Sequence, residues 1–331
     1  MKKVLLFLSV GLLSNVYACD VCGGFFGILP YDNQSNITLM HRYRLFNGYR
    51  TYQQKSTFFP VGAYKTLHGT HTTDSVKTEN YSAKDYESYK VFELRCKFFI
   101  HKRVEINAFL PLVNNKSKED ELKNNVTGIG DPNLFAAFHM LVPKAEHAIK
   151  HRLILGGGIK LPSGNYYAKN STGKRLPLLL QPGTGSVDYF FFNTYVFSYN
   201  KIGFSNTFNY KINGYNFYNE KIANGLSNFS SVFFKVKANQ FNFIPSLTAY
   251  HEQTNGVLVK NDLMEGTAMH EWMFGIGFDI YYKNFGLNMG MQKTLWQIEQ
   301  TNELSSVGRF YISLTYNFNQ QKYLLGTRKS E

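Results

Sequence analysis

Apolar and polar residues alternate with a period of two through most of the chain after residue 31, and this pattern restricts the possible folds. In residues 91–100 (VFELRCKFFI) and 309–318 (RFYISLTYNF), every second residue is apolar and most of its neighbours are polar. Successive side chains of a β-strand point to opposite faces, so each such segment predicts a strand with one apolar face. No stripe with a helical period interrupts the pattern, and the chain is therefore predicted to be all-β.

Twelve segments carry the alternation, and most of them are long. A strand that crosses a bilayer at a tilt needs about 9–11 residues, whereas strands of soluble proteins average about 5–6 residues. The lengths therefore favour a membrane β-barrel over a soluble sandwich. The predicted strands are 35–46, 88–100, 103–112, 129–141, 150–161, 185–198, 201–213, 228–237, 241–251, 269–282, 285–297 and 307–318.

The connections between these segments alternate between long and short. Residues 47–87, 113–128 and 162–184 are long gaps, whereas 101–102 and 199–200 are only two residues long. Outer-membrane barrels have long extracellular loops, short periplasmic turns and an even number of strands. We therefore predict a transmembrane antiparallel β-barrel of about 12 strands, with both of its ends on the periplasmic side.

The N-terminus predicts export. Lys2 and Lys3 precede an apolar stretch, 4–13, and the small residue Ala18 marks a cleavage point. We expect a signal peptide at 1–18, an N-terminal periplasmic or plug segment at 19–34, a transmembrane barrel at 35–318 and a periplasmic tail at 319–331. The expected location is the outer membrane.

The net charge of +13 restricts the partners of the chain. For an exported protein, the phosphates of outer-membrane lipid and lipopolysaccharide are the expected counter-charge. No nucleic-acid-binding signature is present, so we expect no nucleic acid partner.

Charged residues of the predicted strands fall on the face opposite the apolar one, where they would line a lumen. Two interpretations stay open: the charges form a network that fills the barrel, or basic residues line a path that favours anions. The predicted lumen-lining residues are Arg42, Arg44, Glu93, Arg95, Lys97, Arg103, Glu105, Arg152 and Lys160.

Two of the three cysteines, Cys19 and Cys22, stand where the mature chain is expected to begin. They could form a small disulfide loop, Cys19 could carry a lipid anchor, or the pair could serve in redox chemistry or metal binding. No βαβ pattern surrounds them, and Gly23 stands where haem attachment would need histidine. The remaining Cys96 is predicted to face lipid.

Motifs for catalysis and for cofactors are lacking, so we expect no enzymatic activity, no cofactor and no metal site. His251, Asp262, Glu265 and His270 surround one predicted loop, which keeps a loop-borne hydrolase as an alternative. His68 and His71 form a pair in the longest loop, but two ligands do not make a zinc site.

Three glycine-containing motifs suggest a family. GIGDP (128–132), GGGIKLPSG (156–164) and QPGTGSVDYF (181–190) resemble segments of the outer-membrane transporter family of the phenol-degradation MetA type. The resemblance implies a membrane β-barrel that moves small, hydrophobic compounds. We therefore expect a channel or transporter-like barrel for small hydrophobic or anionic solutes. The alternatives are a non-conducting surface barrel whose loops bind a partner and the loop-borne hydrolase.

Overall fold

The computed structural model describes residues 34–49, 85–119, 122–143, 148–264, 267–297 and 304–318. Several predictions lie outside these residues: the signal peptide at 1–18, Cys19 and Cys22, the pair His68 and His71, and the tail at 319–331. Among the described residues, no helix is both long and apolar enough to cross a bilayer.

The described residues form seventeen strands and one short 3-10 helix, η1, at Leu178–Leu180. The strands are β1 (Ser35–Tyr49), β2 (Tyr86–His101), β3 (Val104–Glu119), β4 (Leu122–Ile129), β5 (Asn133–Leu141), β6 (Ile149–Lys160), β7 (Asp188–Tyr199), β8 (Ile202–Ile212), β9 (Glu220–Ile222), β10 (Gly225–Phe234), β11 (Val236–Ala238), β12 (Phe241–Thr254), β13 (Val257–Val259), β14 (Asp262–Leu263), β15 (Met269–Tyr282), β16 (Phe285–Gln297) and β17 (Leu304–Phe318).

Fourteen of these strands form one sheet that closes on itself. β1 pairs with the last strand, β17, and β10 pairs with β12, so the order of strands has no free edge. β4 and β5 both pair with β3, and β10 and β11 both pair with β12, so each of these two sets fills one position of the barrel. The fold is therefore a closed antiparallel barrel of twelve strands, as the alternation predicts.

The ends of the barrel differ in their connections. Two-residue turns such as 200–201 and 283–284 lie at one end, called the turn end below. Asn200 and Lys283 begin these turns with φ of 51° and 49°, a left-handed conformation that tight hairpins use. The longer connections, including 161–187 and 213–224, lie at the opposite end, called the loop end.

The prediction of a loop at 113–128 is wrong. β3 continues to Glu119 and β4 starts at Leu122, and the register runs unbroken from Leu112↔Ile129 to Glu119↔Leu122. Polar residues occupy both faces of this hairpin, so its sequence lacks the alternation of apolar and polar residues that predicts a strand. Asn114 Nδ2, for example, donates across the hairpin to Asn125 Oδ1 at 2.8 Å.

The two faces of the sheet have opposite chemistry. On the outer face, large apolar side chains such as Leu39, Phe191 and Leu247 are exposed. On the inner face, polar side chains such as Asn107 and Thr315 are buried. An apolar band outside a polar interior is the arrangement of membrane barrels, in which lipid covers the outer face.

The glycines of the GGGIK motif make room for aromatic rings inside the barrel. A Cβ atom on Gly156 would overlap the Cζ edge of the Phe192 ring, and one on Gly158 would overlap Phe135. These rings pack edge to face with centroids 5.6 Å apart, and Phe109 joins their cluster. The glycines on β6 therefore leave the space that large side chains of the neighbouring strands β5 and β7 occupy.

We predict that Gly156→Ala lowers the temperature at which the purified barrel unfolds, because the added methyl group displaces the buried Phe192 ring. Overpacking of this kind costs about 1–3 kcal/mol. The matched control is Gly157→Ala, whose Cβ would approach the Phe191 ring at 3.0 Å. Phe191 is 56% exposed on the outer face and can move aside. Equal unfolding temperatures for the two variants, measured by heat-dependent electrophoretic mobility, would contradict this account.

The topology predicts which positions a membrane-impermeant thiol reagent reaches on intact cells. In a background without the three native cysteines, Thr172→Cys and Asp262→Cys at the loop end should be labelled. Lys201→Cys and Asn284→Cys at the turn end should be labelled only after the cells are permeabilised. All four positions are exposed, so accessibility to water does not distinguish them. The reverse labelling pattern would invert the orientation of the barrel.

Candidate functional site: the barrel mouth and lumen

The residues of the three glycine motifs meet in one buried cluster at the loop end of the barrel. Asp131, from GIGDP, accepts hydrogen bonds at 2.8 Å from the backbone N–H groups of Gly164 and Thr184. The Thr184 hydroxyl donates to the same carboxylate at 2.9 Å. Lys160 Nζ lies 3.0 Å from Asp131 Oδ2. The motifs therefore fix the connection 161–187 to the end of the barrel wall.

Asp188 extends the same cluster toward β8. Its Oδ2 atom lies 2.7 Å from Lys160 Nζ and 2.9 Å from Lys211 Nζ. Its Oδ1 atom accepts bonds from the Ser186 hydroxyl at 2.8 Å and from the Gly214 N–H at 3.1 Å. Two carboxylates and two ammonium groups thus neutralise one another where all four side chains are buried.

The connection 161–187 turns into the mouth of the barrel. Leu176, Leu178 and Leu180 on this segment are buried, and they pack against residues of neighbouring connections and strands, among them Val126 and Val257. We call residues 176–180 the mouth segment. Every second residue of 176–180 is thus a leucine with apolar contacts on the inner side. This explains why a connection contains the apolar run LPLLL.

Polar contacts hold the mouth segment from its other side. Gln181 Nε2 donates to the carbonyl groups of Leu176 and Ala168 at 2.9 and 3.0 Å. Asn115 Nδ2, on β3, donates to the carbonyl of Leu180 at 3.1 Å. The hairpin extension of β3 therefore supports the segment that covers the mouth.

Below the mouth, Arg44 on β1 pairs with two carboxylates from β12 and β15, which lie four and three strands away around the barrel. Its Nη1 atom lies 3.1 Å from Glu252 Oε2, and its Nη2 atom forms an ion pair with Glu271. Tyr250 donates its hydroxyl to Glu252 at 3.1 Å. Since both carboxylates are fully buried, this group ties β1 to β12 and β15 across the lumen.

A second group lies next to it on β1 and β2. Arg42 Nη2 lies 3.2 Å from Glu93 Oε2, and Arg95 forms an ion pair with the other oxygen of Glu93. The guanidinium carbon of Arg95 lies 4.4 Å from the centre of the Phe109 ring. Glu93 and Arg95 are buried, whereas Arg42 is half-buried.

Nearer the turn end, Glu105 Oε2 forms a hydrogen bond with His139 Nε2 at 3.1 Å. Its Oε1 atom accepts a hydrogen bond from Asn107 Nδ2 at 3.2 Å. Lys97 is half-buried, with its Nζ atom 5.6 Å from the centre of the Phe99 ring. Arg152 is also half-buried, on the inner-face register of β6.

Arg103 does not lie where the sequence predicts. It was predicted to line the lumen, but it lies in the turn between β2 and β3 and is exposed. The prediction started the strand at residue 103, one residue before its observed beginning, and so assigned a turn residue to a face.

Sequence reasoning missed most of the acidic partners inside the barrel. Asp131 and Asp188 carry no period-two signal of their own, because they stand at strand ends. Glu252 fell one residue beyond the predicted strand 241–251, although it shares the inner-face register of Tyr250 and Thr248. Extending that register would have found it. The buried charged residues that the predicted lumen set left out include Asp85, Glu87, Asp131, Asp188, Lys211, Glu252, Glu271 and Asp279.

A cavity of about 160 Å³ lies inside the barrel beneath the mouth segment. Leu178 and Leu179 form part of its wall on the mouth side, and Arg42, Arg44 and Arg309 line it from the strands. Most of its other lining residues are apolar or aromatic. The cavity therefore offers space for a small molecule within the described lumen.

The residues considered for a hydrolase do not line this cavity. His251 and His270 lie on the outer-face register, where their Nε2 atoms are 2.8 Å apart and Trp272 stacks on His251. Asp262 is exposed on β14, and Glu265 lies outside the described residues. Within the described part of the chain, no three histidine, cysteine or acidic side chains are grouped to hold a metal ion.

Comparison with known proteins yields structural neighbours only. No protein-family model matches the chain, and no curated protein matches it. The COG4313 outer membrane channel from Pseudomonas putida F1 is similar, with a TM-score of 0.62 at 14% identity, over 90% of this chain and 100% of that chain. The β domain of the Bordetella autotransporter BrkA has a TM-score of 0.44 at 9% identity, over 87% of this chain and 100% of that chain.

The first of these likenesses supports the fold of an outer-membrane β-barrel for this chain. At such low identity it does not extend to substrate or activity. Membership of the MetA type stays a prediction.

We predict that Asp131→Asn releases the connection 161–187 from the barrel wall. The change removes the charge that pairs with Lys160, and breaking a buried ion pair costs about 3–5 kcal/mol. Trypsin should then cut the folded variant after Lys169, Lys174 or Arg175 at least tenfold faster than the native barrel. The control is Asp262→Asn, which changes an exposed carboxylate. Equal cleavage rates in Asp131→Asn and native protein would show that the cluster does not hold this segment.

Proposed function

We propose that the chain is an outer-membrane channel for small hydrophobic or anionic solutes, with the loop end outside the cell. One observation carries the proposal: a closed barrel contains a cavity that the mouth segment covers from the loop end. A barrel of eight strands is filled by side chains, whereas one of sixteen strands leaves an aqueous channel. Twelve strands give an intermediate interior that can hold one narrow path.

The route follows from what occupies the barrel. From the loop end, a solute passes the mouth segment, enters the cavity, and then meets the aromatic cluster of Phe109, Phe135 and Phe192. Leu178 is buried by contact with Ile222 and Val257, so passage requires the mouth segment to move. The barrel wall stays fixed, because its strands are hydrogen-bonded around the whole circumference.

The charges inside the barrel favour a narrow path. Arg44 is ion-paired with Glu252, and Arg95 is ion-paired with Glu93. These side chains therefore fill part of the lumen as well as line it. This supports the interpretation of a charge network over that of a path lined only by cations. The same packing also supports the rival proposal, a barrel that conducts nothing and binds a partner through its loops.

We predict a small single-channel conductance for the native protein in planar bilayers. Replacing the mouth segment, residues 176–180, with Gly-Ser-Gly-Ser-Gly should raise the conductance severalfold, because it removes the leucines that cover the cavity. The matched control is the same replacement at 169–173, where four of the five residues are exposed. That control should conduct like the native protein.

Two outcomes would contradict the proposal. If neither the native protein nor the variant without the mouth segment conducts, the barrel has no continuous path and the non-conducting rival stands. Hydrolysis of a lipid by the purified native protein, lost in His251→Ala and His270→Ala, would instead support the enzyme alternative.

A further inference from the structure

The size of the cavity beneath the mouth segment restricts what it can hold. Its volume of about 160 Å³ is close to the roughly 150 Å³ of an engineered protein cavity that accepts benzene. The occupant is therefore a molecule with one ring or an equally compact body. Larger solutes would have to displace the wall.

Most of the wall is apolar. Met40, Val113 and Phe229 contribute buried side chains from three strands, and Leu179 contributes from the mouth segment. Such a surface favours the burial of a hydrocarbon body and does not stabilise a strongly hydrated ion. The body of the occupant is therefore apolar.

Arg42 gives this apolar cavity a specific polar contact. One of its nitrogens, Nη2, bonds Glu93 at 3.2 Å. Its Nε–H group is buried and has no hydrogen-bond partner among the residues that the structure describes. A guanidinium has five N–H donors and no acceptor. The Arg42 side chain lines the cavity and is 17% exposed, and Glu93 occupies only its Nη2 atom. The exposed part of the guanidinium can therefore donate to an acceptor on the occupant.

Arg309 lies on the same wall and adds to the positive charge there. Its guanidinium carbon lies 3.4 Å from the centre of the Tyr250 ring, and its Nε atom donates to Gln292 at 2.5 Å. A charged acceptor binds an arginine more strongly than a neutral one, and a carboxylate matches the planar guanidinium. The nearby Glu93 carboxylate disfavours an occupant with more than one negative charge.

We propose that this cavity is a binding site for small carboxylates with a single apolar ring, held by Arg42 at the carboxylate and by the apolar wall at the ring. The site rests on the proposed function in that the ligand would occupy the path of the channel. It goes further because it names the chemical class of the solute and the residue that selects it.

The test is isothermal titration of the purified full-length protein in detergent with benzoate and, separately, with neutral benzyl alcohol. The native protein should bind benzoate more tightly than benzyl alcohol. Arg42→Gln should weaken benzoate binding at least tenfold and leave benzyl alcohol binding within a factor of two. Arg103→Gln removes the same charge from an exposed turn and should change neither affinity.

A second variant tests the place of binding. Leu179→Phe should fill part of the cavity and weaken both ligands, since it adds volume to the wall and leaves Arg42 unchanged. Heat-dependent electrophoretic mobility checks that each variant is folded. Because Leu179 lies on a connection outside the barrel strands, folding of this variant does not depend on repacking the barrel wall.

Three results would overturn the proposal: no benzoate binding by the native protein, equal loss of both ligands in Arg42→Gln, or unchanged binding in a folded Leu179→Phe. Titration in detergent does not require conduction. A native barrel that binds benzoate through Arg42 but conducts nothing would therefore refute the channel alone. A barrel that conducts but does not bind benzoate would refute the carboxylate site alone.

Discussion

Closure of the sheet is the constraint on which the rest of this structure depends. Pairing of β1 with β17 and of β10 with β12 removes both free edges. In a bilayer, an unpaired backbone N–H or C=O group costs several kcal/mol, so a sheet can span it only as a closed barrel. Closure also fixes the volume inside, and the side chains of twelve strands must then share that volume.

The inner side chains meet this requirement by pairing charges across the lumen. Arg44 on β1 reaches glutamates on β15 and β12, three and four strands away, and Lys160 bridges Asp131 and Asp188 at the mouth. Such groups contribute little net stability when complete, but removing one partner leaves an uncompensated charge and costs about 3–5 kcal/mol. The networks therefore fix which elements lie together, and they hold the mouth segment in one place.

That fixed mouth segment creates the cavity. Because Gly164 and Thr184, near the two ends of 161–187, both donate to Asp131, the leucines between them cover the lumen at a defined depth. The space left below is apolar, with Arg42 at its side. The proposed channel and the proposed carboxylate site follow from the same geometry: a closed barrel wall, a mouth segment that covers the lumen, and the Arg42 guanidinium in the wall of the cavity between them.

The sequence alone determined the barrel, the approximate strands and the two faces of most strands, because period-two alternation is a local property of each segment. It also singled out Lys160, Arg44 and Glu93 as inner-face charges. It could not assign their partners, since Asp131 and Asp188 are far apart along the chain and meet only when β5, β6 and β7 pair. It missed the β3–β4 hairpin, where backbone hydrogen bonds form without an apolar face. The tertiary structure alone decided the inward turn of 161–187 and the cavity, because both depend on the space that closure of the barrel leaves.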